Sequence, residues 1–286
     1  MSGAESIEIP LPGLTLRGLA WGPAEGAPVL ALHGWLDNAA SFSGLAPLLE
    51  GQRVIALDLP GHGRSDHRAP SGSYNFIDWV PDVVGVADAL GWERFGLVGH
   101  SMGAGIACLL AGALPERIGR LVLIEGFGPL TEGAEGAPAR LARHLVQRGF
   151  EDQPRVMADR GEAVERMLRA SQGLERRSAE ILVARGTREV EGGVSWAWDP
   201  RLRQSSAIRL TEEQVYAFLA RIGCPVLVVR ALQGWPVDEA LLAPRKAAIA
   251  KLEVLEVEGG HHLHLDHPER VAPAVLAHLS GREEAA

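Results

Sequence analysis

Three stretches of the chain carry side chains whose types and spacing could do chemistry. The first is Gly99-His100-Ser101-Met102-Gly103, which follows the apolar run Phe95-Gly96-Leu97-Val98 and precedes a nearly continuous small, apolar stretch, 102–114. A strand running into a serine turn and then into a buried helix pushes the hydroxyl out of the sheet edge at a helix N-terminus. The flanking glycines clear the space where strand and helix nearly touch. A serine alone is a poor nucleophile and needs a base within hydrogen-bond reach. The second stretch, Gly259-Gly260-His261-His262-Leu263-His264-Leu265-Asp266-His267, supplies histidines on a loop between the last apolar run and the last helical pattern. That loop would lie at the same sheet edge as the serine. In the third, an apolar run ends in His33-Gly34-Trp35-Leu36-Asp37-Asn38. The backbone N–H groups of Trp35 and Met102 are the natural pair of donors for the oxyanion of an acyl-transfer intermediate. Trp35 could equally serve as a pocket wall.

The elements that must position these groups follow from hydrophobic patterning. Residues 7–21 alternate loosely, are broken by Pro10, Pro12 and Gly13, and read as a hairpin at a sheet edge. Short apolar runs at 29–32, 54–57, 95–98, 121–124, 226–229 and 252–257 are mostly continuous, as in strands buried on both faces of a parallel sheet. Helical patterns at 76–90, 102–114, 239–250 and 268–279 separate them. The alternation predicts an α/β class with a doubly wound, mostly parallel sheet. It stops between about 128 and 219, where helices are predicted at 137–148, 162–170, 175–185 and 211–221. Thr211 and Gln214 fit a capping box at the start of the last of these. A loop holding Gly192, Gly193, Trp196 and Trp198 precedes it. So long a helical insertion is more than a connection and reads as a lid. The expected division is a core of residues 1–127 and 220–286 with a lid at 128–219.

With 286 residues the chain can bury a sizeable core without staples. Its 28 basic and 36 acidic residues give a net charge of −8, which disfavours nucleic acid and anionic membranes as partners. No apolar run is long enough to span a membrane, and the N-terminal stretch, with Glu5 and Glu8, does not read as a secretory signal. A cytoplasmic location is expected, with Cys108 and Cys224 as buried thiols. The clustered histidines show no His-Glu-x-x-His spacing, and no predicted helix places two of them four residues apart, so no metal is expected. The Gly-rich segment 58–65 lacks the Lys-Ser/Thr ending of a phosphate loop.

Taken in order, His33-Gly34-Trp35, Asp58-Leu59-Pro60-Gly61-His62-Gly63-Arg64-Ser65, Gly99-His100-Ser101-Met102-Gly103 and Gly260-His261 resemble the α/β-hydrolase superfamily, in particular its serine-hydrolase-like, esterase-like branch. The resemblance spans most of the chain outside the insertion. It implies a Ser-acid-His triad with Ser101 as nucleophile and His261 as base, and no cofactor. It makes His264 a structural or pocket residue and leaves Asp58, His62, Asp66, His262 and His267 without a catalytic role.

Most members of that superfamily carry the acid on the loop after the strand that corresponds to 226–229. Here that loop, 230–238, offers only Asp238, about four residues late and placed to cap a helix. Some members, certain dehalogenases among them, carry the acid one strand after the serine, where 121–124 ends in Glu125-Gly126. Glu125 is therefore the favoured acid and Asp238 the alternative. Glu125 could also merely cap the loop leading into the insertion. Candidate substrate contacts are His33, Phe127, Trp196, Trp198 and His264, although the aromatic residues could be lid core. The expected activity is hydrolysis of a small carboxylic ester through an acyl-enzyme. A thioesterase, a lactonase, a carbon–carbon bond hydrolase and a non-catalytic binding protein on the same fold are the alternatives. Serine rather than aspartate at the elbow argues against dehalogenase or epoxide hydrolase chemistry.

Overall fold

The computed structural model describes residues 3–148, 155–171, 173–236 and 238–281. Along the chain come β1 (Glu5–Leu11), β2 (Leu14–Trp21), β3 (Ala27–Leu32), β4 (Gln52–Asp58), α1 (Trp79–Ala89), β5 (Phe95–His100), α2 (Met102–Ala113) and β6 (Ile118–Ile124). The insertion contributes α3 (Ala137–Gln147), α4 (Arg160–Ala170), α5 (Arg176–Gly186), β7 (Thr187–Val190) and β8 (Gly193–Trp196). The chain closes with α6 (Glu212–Leu219), β9 (Val226–Ala231), α7 (Glu239–Ala248), β10 (Leu252–Val257), the single turn α8 (Leu263–Asp266) and α9 (Pro268–Ser280).

Eight strands form one sheet in the order β1-β2-β4-β3-β5-β6-β9-β10. The predicted N-terminal hairpin is present, and β2 also runs antiparallel to β4. From β4 to β10 every pairing is parallel. The continuous apolar runs are explained by burial of both faces. On β3, Leu30 and Leu32 point into one cluster, with Val83 and Val86 of α1 and Ile106 and Leu110 of α2. Val29 and Ala31 point into the other, with Phe42 and with Val271 and Val275 of α9. β10 lies at the edge, and its Glu253 and Glu256 are exposed. Cys108 and Cys224 are buried and unpaired. Among the described residues no helix is long and apolar enough to cross a membrane.

The insertion has its own small core, in which Val164 of α4, Leu182 and Val183 of α5 and Val194 of β8 meet Leu265 of α8. The segment around Gly192 is not the predicted loop but a two-stranded hairpin, β7 with β8. The chain turns there through two glycines at positive φ, Gly192 at 84° and Gly193 at 147°. The capping box of Thr211 and Gln214 forms as predicted. However, Val215 and Leu219 of α6 lie in the main core with α2, so core packing takes in a helix that the sequence reading put in the lid.

One buried ion pair ties the insertion to the sheet. Arg185 of α5 reaches Asp58 at the end of β4, Nη2 to Oδ2 at 2.7 Å, and both side chains are buried. Asp58 also accepts the N–H groups of Ala39 (2.7 Å) and Arg64 (2.9 Å), so the segment 58–65 is braced rather than open.

Candidate active site

Ser101 sits between β5 and α2 at φ 52° and ψ −112°. That conformation is costly for a side-chain-bearing residue and is held here from three sides. The Ser101 N–H donates to Ile124 O of β6 at 2.9 Å. A Cβ on Gly99 would lie 2.5 Å from Gly103 O, and one on Gly103 would lie 2.1 Å from Leu32 O. Only glycine fits at either position, which is the close approach of strand and helix that the motif demanded. Met102 is the first residue of α2, so its N–H lies in the first turn, where no helical carbonyl stands ready to accept it.

Glu125 follows β6 directly and is also left-handed, at φ 51°. Its N–H donates to Val229 O of β9 at 2.9 Å. The carboxylate then turns across the end of β9. Oε1 accepts from Ala231 N–H at 2.6 Å and Oε2 from Trp235 N–H at 3.0 Å. His261 Nδ1 stands 3.2 Å from the same Oε2. The pair is nearly withdrawn from solvent on the acid's side and partly exposed on the imidazole's. A Cβ on Gly234 would fall 2.1 Å from Glu125 Oε2. The Glu125 carboxylate therefore occupies the space that a side chain at position 234 would fill, on the loop where the resemblance leads one to look for an acid. Asp238 is elsewhere. It is exposed at the start of α7, where Oδ1 accepts from Ala240 N–H at 2.9 Å.

Residues 27–268 match the family described as alpha/beta hydrolase fold. The chain belongs to the α/β-hydrolase fold family. Within it, a serine hydrolase-like protein of Danio rerio is 34% identical over 295 residues, covering 96% of this chain and 88% of the relative. A hypothetical protein of Pseudomonas aeruginosa PAO1 has a similar solved structure, with 45% identity, a TM-score of 0.90, and 96% and 98% of the two chains covered. The thioesterase domain from the curacin biosynthetic pathway is 29% identical with a TM-score of 0.87, covering 96% of this chain and all (100%) of that one.

The other candidates make different contacts. His33 is buried with both ring nitrogens occupied by backbone: Nε2 accepts from Leu59 N–H at 3.0 Å, and Nδ1 faces Gly34 O at 2.7 Å. Burial pushes its imidazole below its ordinary range. It braces two loops and offers no free nitrogen to a substrate. His264 is equally buried, with Nε2 on Ser41 Oγ at 2.9 Å, and burial pushes it down to about 3. Phe127 lies in the main core while its carbonyl accepts from Arg245 Nη1 at 2.7 Å. Trp196 packs on the insertion's core and Trp198 on the main core, their rings stacked 6.4 Å apart. Trp35 is half exposed and donates from Nε1 to Leu202 O at 3.1 Å, so its ring leans on the insertion.

Three site residues escaped the sequence reading. Trp235 is 69% exposed, and its ring lies 5.9 Å from that of His261. His100 donates from Nε2 to the carbonyl of His261 at 2.9 Å, linking the residue before the serine to the candidate base. Asp37 pairs with His262, Oδ2 to Nε2 at 3.1 Å. Burial works against charge on both members of that pair. Their mutual attraction and hydrogen bond prevail, holding Asp37 below the usual carboxylate range and His262 above the usual imidazole range. The signal for these was the repetition of histidine around both motifs, which carries no pairing information by itself.

Proposed function

We propose that this chain is a serine hydrolase that cleaves small carboxylic esters through an acyl-enzyme on Ser101, with His261 as general base and Glu125 as its acid partner. The observation that carries the reading is the contact of His261 Nδ1 with a Glu125 carboxylate clamped by two backbone N–H groups. With Nδ1–H directed to Glu125, Nε2 is the nitrogen available to the serine. Nε2 takes the Ser101 proton as Oγ attacks the ester carbonyl. The negative oxygen is held by the N–H groups of Trp35 and Met102. The imidazolium, stabilised by Glu125, passes its proton to the alkoxide as the C–O bond breaks. Water then repeats the sequence on the acyl-enzyme and releases the acid and free Ser101.

The similarity to a thioesterase domain favours a second reading on the same residues, in which the leaving group is a thiolate. The test is labelling by a fluorophosphonate probe, together with turnover of p-nitrophenyl esters and matched acyl thioesters. Labelling that Ser101→Ala abolishes, with esters turned over faster, is expected. Faster thioester turnover shifts the substrate class and keeps the triad. A folded protein with neither labelling nor turnover overturns the reading and leaves a binding protein on this fold.

A further inference from the structure

Beside His261 lie three potential ligand atoms that the proposed mechanism does not use. Asp37 Oδ2 is 3.1 Å from His262 Nε2 and 3.8 Å from His100 Nδ1, and all three atoms lie within 4.8 Å of one another. They come from the loop after β3, the end of β5 and the loop after β10, and all three residues are buried.

The tautomer of His100 follows from its other contact. Nε2 faces a carbonyl oxygen, which can only accept, so Nε2 carries the hydrogen and Nδ1 a bare lone pair. That lone pair has no hydrogen-bond partner among the described residues. It faces a carboxylate oxygen, an arrangement of two acceptors that is unfavourable unless a cation or a donor lies between them. His262 answers Asp37 but leaves Nδ1 of His100 unanswered. Gly34 adds an independent observation. A Cβ there would press on both atoms, 3.1 Å from His100 Nδ1 and 3.3 Å from Asp37 Oδ2, so glycine keeps the approach to them open.

Two imidazoles and one carboxylate form a nitrogen-rich set that suits zinc-class ions, whereas magnesium and calcium prefer oxygen. With bonds of about 2.0–2.1 Å, two ligand atoms on a tetrahedral ion stand roughly 3.3–3.4 Å apart. The separations of 3.1 and 3.8 Å fall on either side of that spacing, and the third pair lies within 4.8 Å. We propose that Asp37, His100 and His262 form a binding site for one divalent transition-metal ion of the zinc class. On binding, Nε2 of His262 gives up the hydrogen it directs at Asp37, and the ion takes that hydrogen's place. The ion would lie next to His261, whose ring is 4.8 Å from that of His100 and 5.4 Å from that of His262. A divalent ion held so close to the proposed base disturbs the charge balance of the site, so the ion acts as an inhibitor rather than a cofactor. That last consequence rests on the catalytic reading above; the binding site itself does not.

The test titrates Co2+ into chelator-treated protein and follows its visible d–d absorption, with Zn2+ as displacing ion. Wild type should bind one ion per chain with a low-symmetry nitrogen–oxygen spectrum. His261→Gln should keep that spectrum. His262→Gln and Gly34→Ala should each weaken binding at least about tenfold. If His262→Gln does not fold, Gly34→Ala, which removes no ligand, carries the comparison. Absence of the spectrum in wild type at millimolar Co2+ overturns the proposal. So does wild-type affinity in folded His262→Gln and Gly34→Ala, or loss of the spectrum in His261→Gln, which would place the ion on the triad. In parallel, Zn2+ should inhibit ester turnover reversibly. If turnover is absent and the Co2+ spectrum behaves as stated, the site stands and the catalytic reading alone fails.

Discussion

The C-terminal edge of the sheet and the helical insertion above it differ in how their backbones are held. At the sheet edge, Leu36, Ser101 and Glu125 have positive φ, at 62°, 52° and 51°. They follow β3, β5 and β6, three adjacent strands. Among the described residues of the insertion no side-chain-bearing residue takes such a conformation, and glycines serve wherever φ is positive. A left-handed residue with a Cβ costs on the order of 1–2 kcal/mol. That cost is met where strands buried on both faces supply surplus stability, and where atoms from distant parts of the chain must converge. The insertion, with a smaller core of its own, uses only relaxed turns.

The sharpest way to break this contrast is through Glu125. Glu125→Gln places an amide where two N–H groups and an imidazole already meet the carboxylate. Ester turnover should fall by about 10^2- to 10^4-fold with little change in KM. The double variant Glu125→Gly, Gly234→Asp moves the carboxylate to the neighbouring strand end and relieves the left-handed strain at 125. It should recover at least about tenfold over Glu125→Gln. No recovery would mean that the strained backbone at 125 matters beyond the position of its oxygens.

The junction between the two regions comes next. Arg185→Met leaves Asp58 buried without its cation and should cost about 3–5 kcal/mol in urea unfolding. A loss below about 1 kcal/mol would show the pair to be as weak as a surface one. A smaller effect is expected at His62, which burial, with His33 beside it, pushes down to about 3. Its folded form stays neutral while the unfolded chain takes up a proton below about pH 6.5. Stability is therefore lost as pH falls from about 6.5 towards 3, by up to about 1.4 kcal/mol per pH unit from this residue. His62→Phe should narrow the difference in urea midpoint between pH 7 and pH 5, and an unchanged difference would contradict the assignment. Smallest of all, Asp238→Asn keeps a helix cap and touches nothing in the site, so turnover should stay within about twofold.

Much of this was legible in the sequence because it depends on neighbours along the chain. The strand before Ser101 and the helix after it, the hairpin at the N-terminus and the capping box at Thr211 are all local patterns. The place of Glu125 was half legible, since a charged residue closing a buried run must emerge at the sheet edge. What it meets there depends on β9 lying next to β6. The β7–β8 hairpin was missed because two four-residue strands, one of them mostly polar, are too short for a pattern to be read. The pairs Asp37–His262 and Asp58–Arg185 join residues 225 and 127 positions apart, and nothing local marks them. Trp196 and Trp198 could be read from the sequence either as lid core or as substrate contacts, and their stacked rings are half-buried against two different cores.

The ion pair between Asp58 and Arg185 also bears on traffic to the serine. Lifting the insertion away as one piece would abandon a carboxylate at the floor of the molecule, and Asn38 Nδ2 would lose Leu182 O, 2.9 Å away. Such a swing is too costly to accompany every turnover. The insertion is thus pinned to the sheet edge at two points, Arg185 on Asp58 and Leu182 on Asn38, and its α5 is held in place rather than hinged.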